Sequence, residues 1–358
     1  MRPDELAEGI ERILGRSPVL SGRLAGAFLV ANPRAGGFTR PSFARARRAE
    51  MATILRRSSA LAPRPDSIPL ALALTDRQGH AADLSRAYIG KALGGDDRPG
   101  SLHLLMAAGG DGTSLELVST LMELEPEQRS RFLVLRLPFG TGNDGSEGRD
   151  LVESLGRLLG PCGLRSSPAI KCTPAASGGH EPFWAFNIAS LGLDAYVARM
   201  TNRLKSLFPG DSYKLWVDLS TVLYDRIFHV APMDITALDA AGAKVRELRK
   251  PCLLVAVGAS GDRQYGSNKR ILPDEDNVCA IAETGLLNKL KWKSRIERGL
   301  HRGLPIVDLF SASRLVVEYG DRLLAQADGE VVELGPADFP FTVEVLPDSY
   351  DVLVPESP

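Results

Sequence analysis

Apolar residues in the first half of the chain fall into short unbroken runs, separated by stretches with helical spacing. Leu6, Ile10, Ile13 and Leu14 recur at three- and four-residue intervals, which predicts a short amphipathic helix over 4–15. Leu24–Ala31 is continuously apolar or small up to Asn32-Pro33, with Gly36-Gly37 just beyond, the pattern of a buried strand running into a loop. The alternation continues with a helix at 41–57, a strand at 68–75, a helix at 82–93 and a strand at 102–108. A helix at 114–123 and a strand at 132–137 complete the series. Strands alternating with helices predict an α/β domain with a doubly wound, mostly parallel sheet covered on both faces.

Near Gly160 the texture changes. Short strand-like runs dominate at 183–189, 230–237, 252–258, 278–282, 313–319 and 322–327, which predicts a β-rich, antiparallel, sandwich-like second domain. Phe339, Phe341, Val343 and Val345 then alternate with polar or smaller residues as in a half-buried strand, and 352–354 reads as one more. The expected organisation is an N-terminal helical extension (1–23), the α/β domain (24–163), the β-rich domain (164–340) and C-terminal strands (341–358) that can return to the first domain. A length of 358 residues suits two cores better than one.

Composition is that of an ordinary globular protein, with 44% hydrophobic and 24% charged residues. A net charge of −1 gives no global attraction to nucleic acid or to an anionic bilayer, so nucleic acid is not an expected partner. Cys162, Cys172, Cys252 and Cys279 form no C-x-x-C pair and fit neither a zinc site nor a disulfide framework, so a reduced, cytoplasmic setting is expected. Met1-Arg2-Pro3-Asp4-Glu5 begins no apolar secretory leader, and the apolar runs at 68–74 and 252–257 are too short to span a bilayer. A lipid substrate would have to be met from outside, with the protein peripheral at the membrane. Oligomeric state is not fixed by the sequence; a homodimer is compatible with it.

Three glycine-bearing turns each follow a predicted strand: Asn32-Pro33-Arg34-Ala35-Gly36-Gly37, Gly109-Gly110-Asp111-Gly112-Thr113, and Pro138-Phe139-Gly140-Thr141-Gly142-Asn143-Asp144. Ligands of open parallel sheets sit beyond the carboxyl ends of strands, so the three loops are candidates for one crevice. Glycine lets a backbone approach a phosphate and turn its N–H groups toward it, and a helix beginning after Thr113 would add its positive end. Asp111 can hold magnesium directly or through water, while Thr113, Thr141 and Asn143 supply short polar groups for phosphate or ribose. There is no P-loop Gly-Lys-Ser/Thr and no His-Arg-Asp.

In this order the turns resemble the diacylglycerol kinase catalytic-domain family, which includes sphingosine kinases and bacterial lipid kinases and is distantly related to NAD kinases and 6-phosphofructokinases. The motifs that carry the resemblance are Asn-Pro-x-Ala-Gly, Gly-Gly-Asp-Gly-Thr with Glu116, and Pro-Phe-Gly-Thr-Gly-Asn-Asp. It continues through Asn187-Ile188-Ala189-Ser190-Leu191-Gly192-Leu193-Asp194-Ala195, His301 and Asp328-Gly329-Glu330, covering about 24–355. The resemblance implies a kinase that uses ATP and Mg2+ on a hydroxyl of a lipid or lipid-like alcohol, as in phospholipid metabolism. It implies nucleotide contacts at Asn32, Pro33, Arg34, Ala35, Gly36, Thr75, Gly109, Gly110, Asp111, Gly112, Thr113, Glu116, Thr141, Gly142, Asn143 and Asp144, with Asp111 at the metal. It also places the catalytic base at Asp328 or Glu330, although an Asp-Gly pair is by itself a hairpin-turn signal.

Departures fall on the acceptor side. Gly145-Ser146-Glu147-Gly148 stands where the family has an apolar residue, Ala and Arg, and Gly266-Ser267-Asn268 stands for its glycine triplet. The Asp-Asp-Gly that the resemblance links to a structural magnesium in bacterial members reads Asp274-Glu275-Asp276-Asn277. Two alternatives therefore stay open: a kinase of a soluble hydroxyl compound, and a catalytically weak nucleotide sensor. Residues 289–302 carry Lys289, Lys291, Lys293, Arg295, Arg298 and Arg302, with Trp292, Ile296 and Leu300 every four positions, which suits a membrane-surface helix or an ordinary packed one. Arg45, Arg47, Arg48, Arg56 and Arg57 read as a solvated helix face, and His80 and His301 as packing or capping residues.

Overall fold

The computed structural model describes residues 1–20, 22–95, 100–140, 148–205, 224–265 and 269–355. Its contacts divide the chain into two compact units, Met1–Ser167 with Asp348–Pro358, and Pro168–Pro347.

In the first unit the apolar runs form β1 (Leu24–Ala31), β2 (Leu70–Leu74), β3 (Leu102–Gly109) and β4 (Phe132–Pro138). They pair in parallel in the order β2-β1-β3-β4, and Asp351 and Val352 lie parallel to β4 as a fifth strand. β1 and β3 are almost wholly buried, as their unbroken apolar sequences require in a sheet covered on both faces. The amphipathic helix Pro3–Leu14 supplies one cover: Leu6, Ile10, Ile13 and Leu14 join Leu29, Leu104, Met106, Leu133, Leu135 and Leu353 in one buried cluster. Residues 1–14 are thus part of this core. The helix Pro41–Ser58 departs from a purely solvated arginine face, because Arg47 is 7% exposed and pairs with Glu50, whose carboxylate also accepts from Leu151 N at 3.1 Å.

The second unit is antiparallel and strand-rich, as the second half of the sequence predicts. The strand β5 (Cys162–Thr173) leads in, and β6 (Phe183–Ala185) pairs with its end. Then follow β7 (Ile188–Gly192), β8 (Pro232–Leu238), β9 (Lys244–Gly258), β10 (Arg263–Tyr265), β11 (Lys269–Leu272), β12 (Val278–Ala282) and β13 (Val307–Phe310). The last are β14 (Arg314–Glu318), β15 (Leu323–Ala327), β16 (Glu330–Leu334) and β17 (Phe341–Pro355). β9 binds the unit together. Its first half pairs with β8, and its second half pairs with β7 and β12, so one strand passes from one sheet into another. Met233, Ile235, Val255, Val257, Leu315, Val317, Phe341 and Val343 share the core between these layers. β17 starts here, antiparallel to β14 over 341–344, and its end is the fifth strand of the first unit.

Candidate functional site

The first candidate is built from register. Ala31 stands opposite Leu74 and Ala108, and Gly109 opposite Pro138, so the four parallel strands end level with one another. The loops beginning at Asn32, Thr75, Gly110 and Phe139 therefore emerge along one edge. From β1 the chain goes outward to β2, then crosses back to β3 on the other side of β1. The loops after β1 and β3 consequently diverge, and a topological switch point opens between them. A cleft of about 240 Å3 lies there, lined by Asn32, Arg34, Thr75, Asp76, Arg77, Gln78, Gly112, Thr113 and Glu116.

Local bonds fix each wall. Asn32 N donates to Ala108 O at 2.9 Å, and its side-chain oxygen accepts from Arg34 N at 2.9 Å, a turn held by its own first residue. Ala35 is buried, and Gly36 opens the short helix Gly36–Thr39. Thr75 N donates to Ala31 O at 3.0 Å, which ties the second loop to the first strand. The helix after β3 begins at Asp111, three residues earlier than the apolar spacing predicts, with Gly110 as its N-cap. Asp111, Gly112 and Thr113 thus form its first turn, where a carboxylate is favoured by the helix dipole.

The two glycines before that helix have different duties. A side-chain carbon on Gly109 would lie 2.3 Å from Thr113 Oγ1 and 2.5 Å from its Cβ, so the turn closes only with glycine there. Among the described residues, a carbon on Gly110 would meet only Gly140 Cα, at 3.8 Å. Among the described residues nothing in the packing requires glycine at 110. Glu116, expected among the nucleotide contacts, accepts from Gly79 N at 2.8 Å and Ala81 N at 3.0 Å. It lines the cleft and holds the 79–81 segment where the helix His80–Gly95 begins. Thr141, Gly142, Asn143 and Asp144, like Gly266-Ser267-Asn268, lie outside the described residues.

The second candidate, in the other unit, brings together two motifs distant in sequence. Asp328 and Gly329 join β15 to β16 with φ of 47° and 93°, a two-residue hairpin with both residues left-handed. The Asp328 carboxylate accepts from Phe186 N at 2.6 Å, Asn187 N at 3.0 Å and Ile188 N at 2.9 Å. That capture explains why the run 183–189 is broken into β6 and β7: these amides serve the carboxylate. Beside it, the buried Asp194 accepts from Ser190 Oγ at 2.6 Å and Gln326 Nε2 at 3.2 Å, and Gln326 Oε1 accepts from Gly329 N at 2.7 Å. Gln326 was not singled out by the sequence, although a glutamine inside the apolar run of β15 was its signal. Glu330 is exposed at the start of β16.

Among the described residues no three His, Cys, Asp or Glu side chains gather as a metal cage. Asp111 on an open helix turn fits magnesium as it is usually held in nucleotide sites, by one or two carboxylates and phosphates. The turn at 274–277 does not fit a structural ion, because Arg302 already occupies both carboxylates, with Nε 2.5 Å from Asp274 Oδ2 and Nη2 2.5 Å from Asp276 Oδ2. The basic segment forms the helix Leu286–Glu297. Leu300 lies beyond its end, so it does not continue the Trp292–Ile296 face.

A parallel α/β unit with glycine-rich turns at its switch point, followed by an antiparallel β unit, defines a two-unit class of fold. Residues 27–152 match the model of the diacylglycerol kinase catalytic domain, the family that the motifs resemble. The protein named "Probable lipid kinase YegS-like" from Xanthomonas euvesicatoria pv. vesicatoria (strain 85-10) is 26% identical over 202 residues. That match spans 56% of this chain and 58% of the relative's length. A crystal structure of a diacylglycerol kinase from Bacillus anthracis str. Sterne superposes with a TM-score of 0.58 at 17% identity, covering 93% of this chain and 97% of that one. A second structure from the same organism gives 0.59 at 20%, over 93% and 98%. At these identities the superpositions speak for the fold.

Proposed function

We propose that the chain is an ATP- and magnesium-dependent kinase that transfers a phosphoryl group to a hydroxyl of a lipid or lipid-like alcohol. The observation that carries the proposal is the level edge of β1–β4, with its cleft and a glycine at 110 that the described residues leave room around, inside the segment that matches the kinase family. In this reading Asn32, Pro33, Arg34, Ala35, Gly36, Thr75, Gly109, Gly110, Gly112 and Thr113, with Thr141 to Asp144, form the nucleotide site. Glu116 positions its far wall. Bound magnesium, held by Asp111, neutralises charge on the phosphates.

Phosphoryl transfer needs in-line positioning and a carboxylate that orients the acceptor hydroxyl and takes its proton. Asp328 or Glu330 is assigned that task. Three amides already draw on Asp328, so it also fixes the hairpin that presents Glu330.

Contact with a membrane surface belongs to the same proposal. No helix among the described residues is long and apolar enough to cross a membrane. At the start of the helix Leu286–Glu297, however, Leu287 is 82% and Leu286 49% exposed, beside the exposed Lys291, Arg295 and Arg298. Lys289 belongs to the fold, since it is ion-paired with Glu283 at 2.9 Å. Apolar residues next to exposed cations suit the anionic interface of a bilayer.

Labelled ATP with magnesium, offered a panel of diacylglycerols, sphingoid bases and soluble hydroxyl compounds including NAD, tests the reading. Phosphate should appear on a lipid alcohol, and Gly110→Val should abolish the transfer. Transfer only to a soluble acceptor would replace the lipid assignment, and MgATP binding without turnover would make the protein a sensor.

A further inference from the structure

The 274–277 turn carries a cation built into the chain. Asp274 and Asp276 both face Arg302, whose Nε and Nη2 lie on one edge of the guanidinium and so address one carboxylate each. The remaining donors to these acids come from the protein: Asp276 Oδ1 accepts from Ser311 Oγ at 3.0 Å, and Asp274 Oδ1 accepts from Asp276 N at 3.1 Å. The arginine bond is the main reason that the Asp274 carboxyl is held below its usual range. Two acids with one residue between them are thereby held close by a single fork.

Arg302 is aimed by its neighbours. Gly299 has a φ of 73°, and a side chain there would press on Arg270 and Pro273. His301 is fully buried, with Nε2 3.1 Å from Ile271 O; a carbonyl can only accept, so that nitrogen carries the proton. With residue 301 anchored inside, residue 302 is directed at the turn. The turn is also packed tightly from the other side, where a side chain on Gly261 would lie 2.3 Å from the carbonyl oxygens of Asp274 and Glu275.

We infer that Arg302 replaces a structural metal ion in this chain, so that a divalent cation and this guanidinium are mutually exclusive occupants of the 274–277 turn. The motif comparison leads one to expect a structural magnesium here, and the donor set refuses it: each carboxylate has an oxygen engaged by a fixed positive charge. Integrity of the second unit should therefore not depend on divalent cations. Any magnesium dependence of the intact protein then belongs to the nucleotide site alone. The inference is independent of which acceptor, if any, is phosphorylated.

The test is thermal unfolding of the full chain without nucleotide, in chelator and in millimolar magnesium or calcium. Wild type should melt at the same temperature in all three, and carry no stoichiometric metal after dialysis. Arg302→Ala should melt several degrees lower in chelator, because two like charges then face each other, and either cation should recover part of the loss. Arg302→Lys, which keeps the charge without the fork, should fall between them and respond weakly. The inference is overturned if magnesium stabilises wild type but not an Asp274→Asn/Asp276→Asn variant. It is equally overturned if Arg302→Ala melts like wild type, or is destabilised yet indifferent to both ions. Should Arg302→Ala fail to fold, the wild-type and Asp274→Asn/Asp276→Asn arms decide alone.

Discussion

The sheet edge of the first unit and the Asp-Gly hairpin of the second handle polar groups in opposite ways. At the sheet edge the described residues leave the backbone open: a carbon on Gly110 meets only Gly140 Cα among them, at 3.8 Å, and the first helical turn lines a cleft. At the hairpin the polar groups are spent on one another, with three amides on Asp328 and a further chain through Gln326, Asp194 and Ser190. An open backbone leaves room for a ligand, whereas a satisfied carboxylate holds a shape. Substitutions at the two places should accordingly fail differently.

The largest expected effect tests the hairpin. Asp328→Asn removes the charge that three amides share, and if Asp328 is also the base, kcat should fall about a hundredfold or more. The melting temperature should fall with it, since bonds to a charged acceptor are worth about 1.5–3 kcal/mol each. MgATP affinity measured by calorimetry should stay within about threefold of wild type, because that variation is below 1 kcal/mol. If turnover per folded molecule is unchanged while Glu330→Gln loses it, the base is Glu330 and Asp328 is its scaffold.

Next comes the pair of glycines. Gly110→Val should weaken ATP binding at least tenfold, about 1.4 kcal/mol, with little change in melting temperature. Gly109→Ala should in addition lower the melting temperature, overpacking Thr113 at a cost of about 1–3 kcal/mol. Equal ATP affinity in a folded Gly110→Val protein would remove this loop from the site. A smaller effect is expected at the helix surface. Neutralising Lys291, Arg295 and Arg298 should reduce binding to phosphatidylserine vesicles by about 1 kcal/mol per charge, and Leu287→Ser should weaken it further at high salt. Vesicle binding equal to wild type at low salt would leave this helix as ordinary surface.

The smallest effect is a pH dependence. Burial, the largest cause, lowers the His301 pKa below its ordinary 6.5. The unfolded chain therefore takes up a proton before the folded one does, and stability present above pH 6.5 should decline as the pH falls through that value. Asp274, held low first by Arg302, adds a second loss only below 3.8. Urea titrations at a series of pH values on wild type and His301→Asn should separate the two slopes.

Much of the first unit was legible because its strands announce themselves: LAGAFLVA and LHLLMAAG are apolar on both faces, and each is closed by a turn that only glycine or asparagine serves well. The start of the helix at Asp111 was hidden, since its first turn, Asp-Gly-Thr, carries no apolar residue. In the second unit the first half of β9, KVRELRK, is charged and exposed, and it is a strand only because β8 offers it partners. The helix Leu193–Lys205 was missed for a related reason, its first turn being tied through Asp194 to the distant Gln326 as well as to Ser190. Likewise, nothing in the local pattern around 274–277 reveals that Arg302 closes the turn, because the two are joined only by the fold.

The route of β17 bears on how the protein is made. Its final residues supply the fifth strand beside β4 and place Leu353 in the core of the first unit. On the ribosome, everything else in that unit has been synthesised by Ser167, yet its sheet must wait for the entire second unit to be translated. At about 5–20 residues per second, that delay is on the order of ten seconds or more. During this interval the apolar edge of β4 has no neighbour and stands available to chaperones or to the wrong strand. Emergence of residues 348–355, rather than of the N-terminal half alone, is therefore the event that lets the first unit close.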